Sequence, residues 1–352
     1  MTRIRQALLV VALLALGSPA AAQDPQWVRD LERQIERHAD ALARMIERQV
    51  AISQNPRARS AQATESFSET RRLGRNGTFD LENVAGDIVI TGGDGNEVRI
   101  QALKRVRGGS NADRRALLQA LQIQVTERGG NVEVRTAYPR RRNAAASVDY
   151  TITVPDSANV TLRTTSGTVR VSNLRGELRA ESVSGDITAS SVERVRGVRT
   201  VSGTLSIFGA EGGDVEGSTV SGDVIARDVK VRNVSFTSVS GTMRLTGVES
   251  ERATLKSMSG DIEYAGPLAR SGRYELQSHS GSLRVVPQGD GGFDIDANSF
   301  SGNVRSDYQL RVASGANFRN GFARGLRGTV GQAGAAALVL RSFSGDISVI
   351  RK

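Results

Sequence analysis

The sequence predicts an all-β fold: a single-stranded β-helix, or β-solenoid, of 18–21-residue coils, with a short inserted helix and a separate N-terminal amphipathic helix. Three observations predict it. From Thr164 onward Ser-Gly recurs with Gly at 167, 185, 203, 222, 241, 260, 281, 302 and 345, spaced 18, 18, 19, 19, 19, 21, 21 and 43 residues apart. Helical repeats need more than about 30 residues, whereas one turn of a β-helix fits about 20. Aligned on that Gly, the positions two and four residues later are almost all apolar, as on the buried side of a strand (Val169 and Val171, Ile187 and Ala189, Leu205 and Ile207). With 38% hydrophobic but only 4% aromatic residues, the chain has few large side chains to fill a deep core, which favours a thin, repetitive body.

Arg3 and Arg5 precede an apolar run from Ala7 to Leu16, and Ser18-Pro19-Ala20-Ala21-Ala22 offers a small-residue cleavage site. Residues 1–22 therefore read as a secretory signal peptide cleaved near Ala22, too short to span a membrane. The expected location is periplasmic or secreted, with no transmembrane anchor in the mature chain. Removing the signal deletes two Arg and no acid, so the net charge falls from +10 to +8. That balance suits an anionic envelope polymer, whereas nucleic acid is disfavoured for an exported chain whose Arg are dispersed with little aromatic interleaving.

Residues 23–53 read as an amphipathic, coiled-coil-like helix capped by Asp24 with Pro25 in its first turn. Val28, Leu31, Ile35, His38, Leu42, Met45, Gln49 and Ile52 alternate at spacings of three and four, a heptad seam for homo-oligomerisation. The same helix could instead lie along the main domain. Residues 54–75, polar and aperiodic, are expected to form a flexible linker.

Residues 76–163 read as an N-terminal capping part of the solenoid. Strands are expected at 78–83, 87–90, 98–106, 123–126, 132–136 and 148–154, with a helix from Asn111 to about Leu121. Val84-Ala85-Gly86-Asp87-Ile88 echoes the repeat, and a cap of this kind protects the first coil from edge-to-edge pairing.

The repeats occupy residues 164–352. The 43-residue last gap is about two periods, so one divergent coil is expected among Gly315, Gly321, Gly325 and Gly331. Three positions before the Gly every residue is Ser or Thr, and one before it is always Ser; strand parity sends both hydroxyl columns inward as structural hydrogen-bonding groups. One after the Gly the residues are Thr168, Asp186, Thr204, Asp223, Thr242, Asp261, Ser282, Asn303 and Asp346. Carboxylates are thus kept off adjacent coils, where they would stand about 4.8 Å apart. Two before the Gly stand Thr165 and then Val183, Val201, Val220, Val239, Met258, His279, Phe300 and Phe343. Parity points the column outward as a partner-binding stripe growing bulkier toward the C-terminus, unless a corner turns it inward or another segment covers it.

With no Cys and two His, the sequence excludes disulfides, thiol chemistry and a histidine metal cluster, and no metal or cofactor is expected. Gly289-Asp290-Gly291-Gly292-Phe293-Asp294 is not tandemly repeated and reads as a turn. The repeat serines lack an accompanying His and acid, so no enzyme is expected. A β-helical polysaccharide-acting enzyme would have to spoil the repeat at one site, and only the basic insert with Arg319, Arg324 and Arg327 does so.

Val183-Ser184-Gly185-Asp186-Ile187 and its echoes, preceded by Tyr138-Pro139 and by residues 147–155, resemble the bacterial putative-adhesin family of β-strand-repeat envelope proteins over residues 76–352. The resemblance implies an exported β-solenoid with a surface or envelope role and brings no catalytic residues. The expected function is a non-enzymatic, adhesin-like binding or scaffold module for an envelope protein or anionic polymer. A β-helical polysaccharide-acting enzyme and a partner role in envelope stress sensing are the alternatives.

Overall fold

The computed structural model describes residues 62–74, 76–139, 145–289, 291–311, 324–331 and 336–351. The expected signal peptide and the seam from Val28 to Ile52 lie outside them, as does Arg319. The described chain is a β-solenoid with one inserted helix, Asn111–Ala120.

Two walls of mostly parallel strands run up the stack. One wall precedes the repeat Gly, for example Asp214–Ser221, Lys230–Ser240, Glu249–Ser259 and Gly272–Ser278. The other follows it, through Leu205–Phe208, Val224–Arg227, Met243–Thr246, Ile262–Pro267 and Leu283–Gln288. Strand parity sends alternate side chains between the walls. The apolar positions five before the Gly (Leu162, Val198, Phe236, Leu255, Leu276) and two after it (Val169, Ile187, Leu205, Met243, Leu283) are at most 1% exposed. Bulk is matched between coils: Gly217 leaves the space into which the Phe236 ring packs.

The glycine column sets how closely coils approach. A Cβ on Gly185, Gly203, Gly222, Gly241, Gly260 or Gly281 would be driven into the carbonyl oxygen of the glycine one coil below. Beside it, the hydroxyls three before the Gly turn inward; Thr200, Ser278, Ser299 and Ser342 donate to the glycine carbonyl of the coil below (Thr200 to Gly185 at 3.1 Å, Ser278 to Gly260 at 3.2 Å), whereas Thr164 and Ser238 donate to the serine carbonyl of their own corner.

Both ends depart from chain order. At the N-terminal end, Ala145–Pro155 stacks outside Ile88–Gly93, with Glu97–Arg107 antiparallel to it. Asn131–Ala137 likewise lies outside Thr78–Glu82 and carries Gln122–Arg128 antiparallel. The helix is closed by a capping box between Ser110 and Asp113 and lays Leu117 and Leu118 on the core. The Tyr138 hydroxyl is 2.8 Å from both Asn83 Oδ1 and the Ala85 carbonyl, and burial raises its pKa. This half of the Tyr-Pro motif therefore ties the first corner together.

Part of the expected linker is a strand instead. Gln62–Arg72 pairs antiparallel with Glu97–Arg107 along its whole length, Glu65 meets the buried Lys104 at 2.7 Å, and Phe67 packs against the core. Backbone pairing holds this polar edge strand, so its side chains carry almost no periodicity.

The expected divergent coil is replaced by a different closure. Ala336–Ser342 pairs on one side with Gly272–Ser278 and on the other with Phe293–Ser299. Ile347–Val349 pairs in the same way with Leu283–Gln288 and Val304–Ser306. The last coil of the chain is thus inserted beneath the one that precedes it, giving the spatial order Gly281, Gly345, Gly302. The extra length supplies a return strand, Arg324–Val330, antiparallel to Phe293–Ser299, which covers one exposed wall of the outermost coil.

A candidate partner-binding corner

Each coil turns at Ser-Gly, and this turn sets the fate of the candidate stripe. The column two before the Gly is folded in at Thr165 and Val183, on the first two coils, and again at Val239 in the middle of the stack, all three being buried. Val201, Val220, Met258 and His279 are half-buried, and only Phe343 (39%) and Phe300 (49%) are exposed. The corner rotates the small residues toward the core, whereas rings extend past it. The stripe expected along the whole body is therefore confined to its C-terminal end. The serines one before the Gly correct the parity reading in the opposite sense. Ser184, Ser202, Ser221, Ser259, Ser280, Ser301 and Ser344 are exposed, because the turn interrupts the period-two alternation before they are reached. Ser280 and Ser344 lie 3.2 Å apart as part of this outer hydroxyl ladder.

The inserted coil brings together residues far apart in the chain. The His279 and Phe343 ring centroids are 4.8 Å apart with planes at 2°, and those of Phe343 and Phe300 are 4.8 Å apart at 5°. The separation matches the strand repeat, so the backbone ladder imposes the ring stack. Sequence order gives 279, 300, 343, whereas spatial order is 279, 343, 300. Among the described residues Phe300 and Phe343 are the exposed large hydrophobic side chains.

Charged groups flank this corner on both walls. On the wall after the Gly, a groove of about 400 Å³ is lined by Arg244, Glu263, Arg284, Asp346 and Arg305. Glu263 accepts a hydrogen bond from Arg244 (3.2 Å) and forms an ion pair with Arg284 at 3.7 Å. On the other wall Arg341 meets Asp296 at 2.9 Å and holds its carboxyl below the usual range. Arg327 of the basic insert reaches the same carboxylate at 4.0 Å, and so serves an ion pair there. Among the described residues no group of three or more His, Cys, Asp or Glu is placed to hold a metal ion, and no helix is long and apolar enough to cross a membrane.

Residues 202–350 match the family model Toastrack DUF4097. No curated protein matches the chain. Among solved structures, a putative adhesin from Bacteroides fragilis NCTC 9343 is 13% identical, with 81% of this chain and 97% of that chain covered and a TM-score of 0.42. A putative cell adhesion protein from Clostridium sporogenes ATCC 15579 is 11% identical over 82% and 100%, with a TM-score of 0.20. A putative lipid binding protein from Parabacteroides distasonis ATCC 8503 is 11% identical over 80% and 96%, with a TM-score of 0.42.

Proposed function

We propose that this chain, whose residues 202–350 match the Toastrack DUF4097 model, is an exported, non-enzymatic envelope protein, an adhesin-like binding or scaffold module that holds a protein partner at its C-terminal corner. The observation that carries this reading is the adjoining pair of exposed rings, Phe343 and Phe300, at the end of a column that is otherwise buried or half-buried. Exposed aromatic side chains clustered on a rigid scaffold are typical anchors of protein interfaces. An anionic polymer is favoured less, because Arg244, Arg284, Arg327 and Arg341 beside the corner already meet carboxylates of the same chain. In this reading residues 1–22 direct export, and the seam of residues 23–53 adds self-association.

Co-sedimentation of the mature protein with isolated envelope fractions tests the proposal. Binding should persist at high salt and disappear in a Phe300→Asp/Phe343→Asp double variant that keeps its far-ultraviolet circular dichroism. Binding abolished by salt and indifferent to the double variant would instead assign the interaction to net charge.

A further inference from the structure

The outermost coil ends in an unfinished ladder. From coil to coil, the residue two after the Gly donates its N–H to the carbonyl of the residue one after the Gly on the next coil: Val169 to Asp186 (2.8 Å), Met243 to Asp261 (2.9 Å), Leu283 to Asp346 (2.8 Å) and Ile347 to Asn303 (2.8 Å). Val304 holds that donor position on the Gly302 coil. Its strand, Val304–Ser306, pairs with Ile347–Val349 on one side, and no described strand lies on the other. The Asn303 carbonyl accepts from Ile347 and the Asp307 N–H donates to Val349, so both face back into the stack. Alternate residues of a parallel strand address opposite neighbours, which turns the N–H and C=O of Val304 and Ser306 outward. The other wall of this coil is already covered by Arg324–Val330.

Side chains at the same edge are equally incomplete. The column containing Val304 is otherwise at most 1% exposed from Ile88 through Ile347, whereas Val304 is half-buried. Phe300, the outer member of the ring stack, is 49% exposed. Between them, Gly302 sits where a Cβ would strike the carbonyl of Gly345 below, and a residue stacked above Gly302 meets the same restriction.

We propose that residues 300–306 form a strand-addition site for an extended peptide segment of a partner protein. The segment pairs in parallel, with an aromatic side chain over Phe300, a glycine two residues later over Gly302, and an aliphatic side chain two residues after that over Val304. Phe343-Ser344-Gly345-Asp346-Ile347 satisfies these requirements on the inner face of the same coil, which shows that the fold accepts the pattern. Main-chain hydrogen bonds supply affinity in such pairing and the alternate side chains supply selectivity. The proposal rests on the binding-module reading and names the chemistry of its partner.

The probe is a synthetic peptide of the sequence of residues 340–349, LRSFSGDISV, added to the mature protein and followed by hydrogen-exchange mass spectrometry. Exchange in fragments spanning residues 300–308 should slow by about tenfold or more at saturation, with the Gly222 coil unchanged. A peptide with alanine in place of its glycine should give no protection. Val304→Pro removes an outward N–H without touching an internal ladder bond and should abolish the effect in a folded protein. Three results overturn the proposal: no protection at saturating peptide, an edge already protected in the isolated protein at every concentration, or protection that grows with protein concentration alone. The second would mean that the chain covers its own edge, the third that a second copy does. Retained envelope binding without any peptide effect would discard the strand site and leave the binding-module reading standing.

Discussion

At the scale of single residues, the alternation of acids with Thr, Ser or Asn after the repeat Gly has a positive cause besides the separation of charge. Asp186 accepts the backbone N–H of Thr204, Asp223 that of Thr242 and Asp261 that of Ser282, each at 2.8 Å, and Asp346 accepts that of Asn303 at 2.7 Å. Each carboxylate thus satisfies an amide at the corner of the next coil, and the residue donating that amide is never another acid in these four pairs. The inserted coil keeps the rule: Asp346 stands between Ser282 and Asn303, so the spatial series Asp261, Ser282, Asp346, Asn303 alternates although the sequence series does not. Replacing Asp223 by Ala leaves the Thr242 amide without this acceptor and should cost about 0.5–1.5 kcal/mol in urea denaturation, with faster exchange of the Thr242 amide. Asp223→Asn keeps a side-chain oxygen and should recover most of the loss. Equal stability of both variants with the parent would mean that these bonds contribute nothing net.

At the scale of the element, a coil needs a glycine at its corner because neighbouring corners pack backbone to backbone. Gly241 also has φ +117°, so an alanine there meets both the Gly222 carbonyl and unfavourable backbone geometry. Gly212, at φ +94° with open space around its Cβ position, isolates the backbone cost alone. Gly212→Ala should therefore lose about 1–2 kcal/mol, and Gly241→Ala about 2 kcal/mol more, measured as denaturant midpoints at constant m-value. Matching losses would remove close stacking as the reason for the column. The same packing explains what the sequence reveals and what it conceals. Inner coils bury every second residue on both walls, and their pattern is plain from Leu162 to Ile347. Strands Gln62–Arg72 and Arg324–Val330 pair through their backbones at the ends of the stack, with one face wet, and leave little pattern to read. The stacking order is hidden for a different reason: Ser299-Phe300-Ser301-Gly302-Asn303-Val304 and Ser342-Phe343-Ser344-Gly345-Asp346-Ile347 are near copies, so apolar pattern alone suits either order. The candidate stripe was legible as a column, whereas its confinement to Phe343 and Phe300 depends on corner geometry and on that order.

At the scale of the whole molecule, the two ends of the stack are unlike, and this limits how copies can associate. Antiparallel strands Gln62–Arg72 and Gln122–Arg128, with the Asn111–Ala120 helix, occupy the N-terminal end, so a parallel coil arriving there from another molecule finds no matching ladder. Head-to-tail growth of the solenoid into a filament is therefore blocked at one end even though Val304–Ser306 offers an edge at the other. Two copies meeting at their Val304–Ser306 edges would form a closed pair and not a filament, whereas the expected heptad seam from Val28 to Ile52 would join copies outside the ladder, and the two are separated by deleting the seam. Light scattering on size-fractionated mature protein should give an oligomer whose mass is a fixed multiple of the chain, and deletion of residues 23–55 should yield a monomer with unchanged β-sheet circular dichroism. Because the deletion spares the strand beginning at Gln62 and its Glu65–Lys104 ion pair, it leaves the solenoid's cap intact. An unchanged mass after deletion would remove the seam as the cause of assembly, whereas an oligomer whose mass rises without limit with concentration would show that the N-terminal cap fails to stop the ladder.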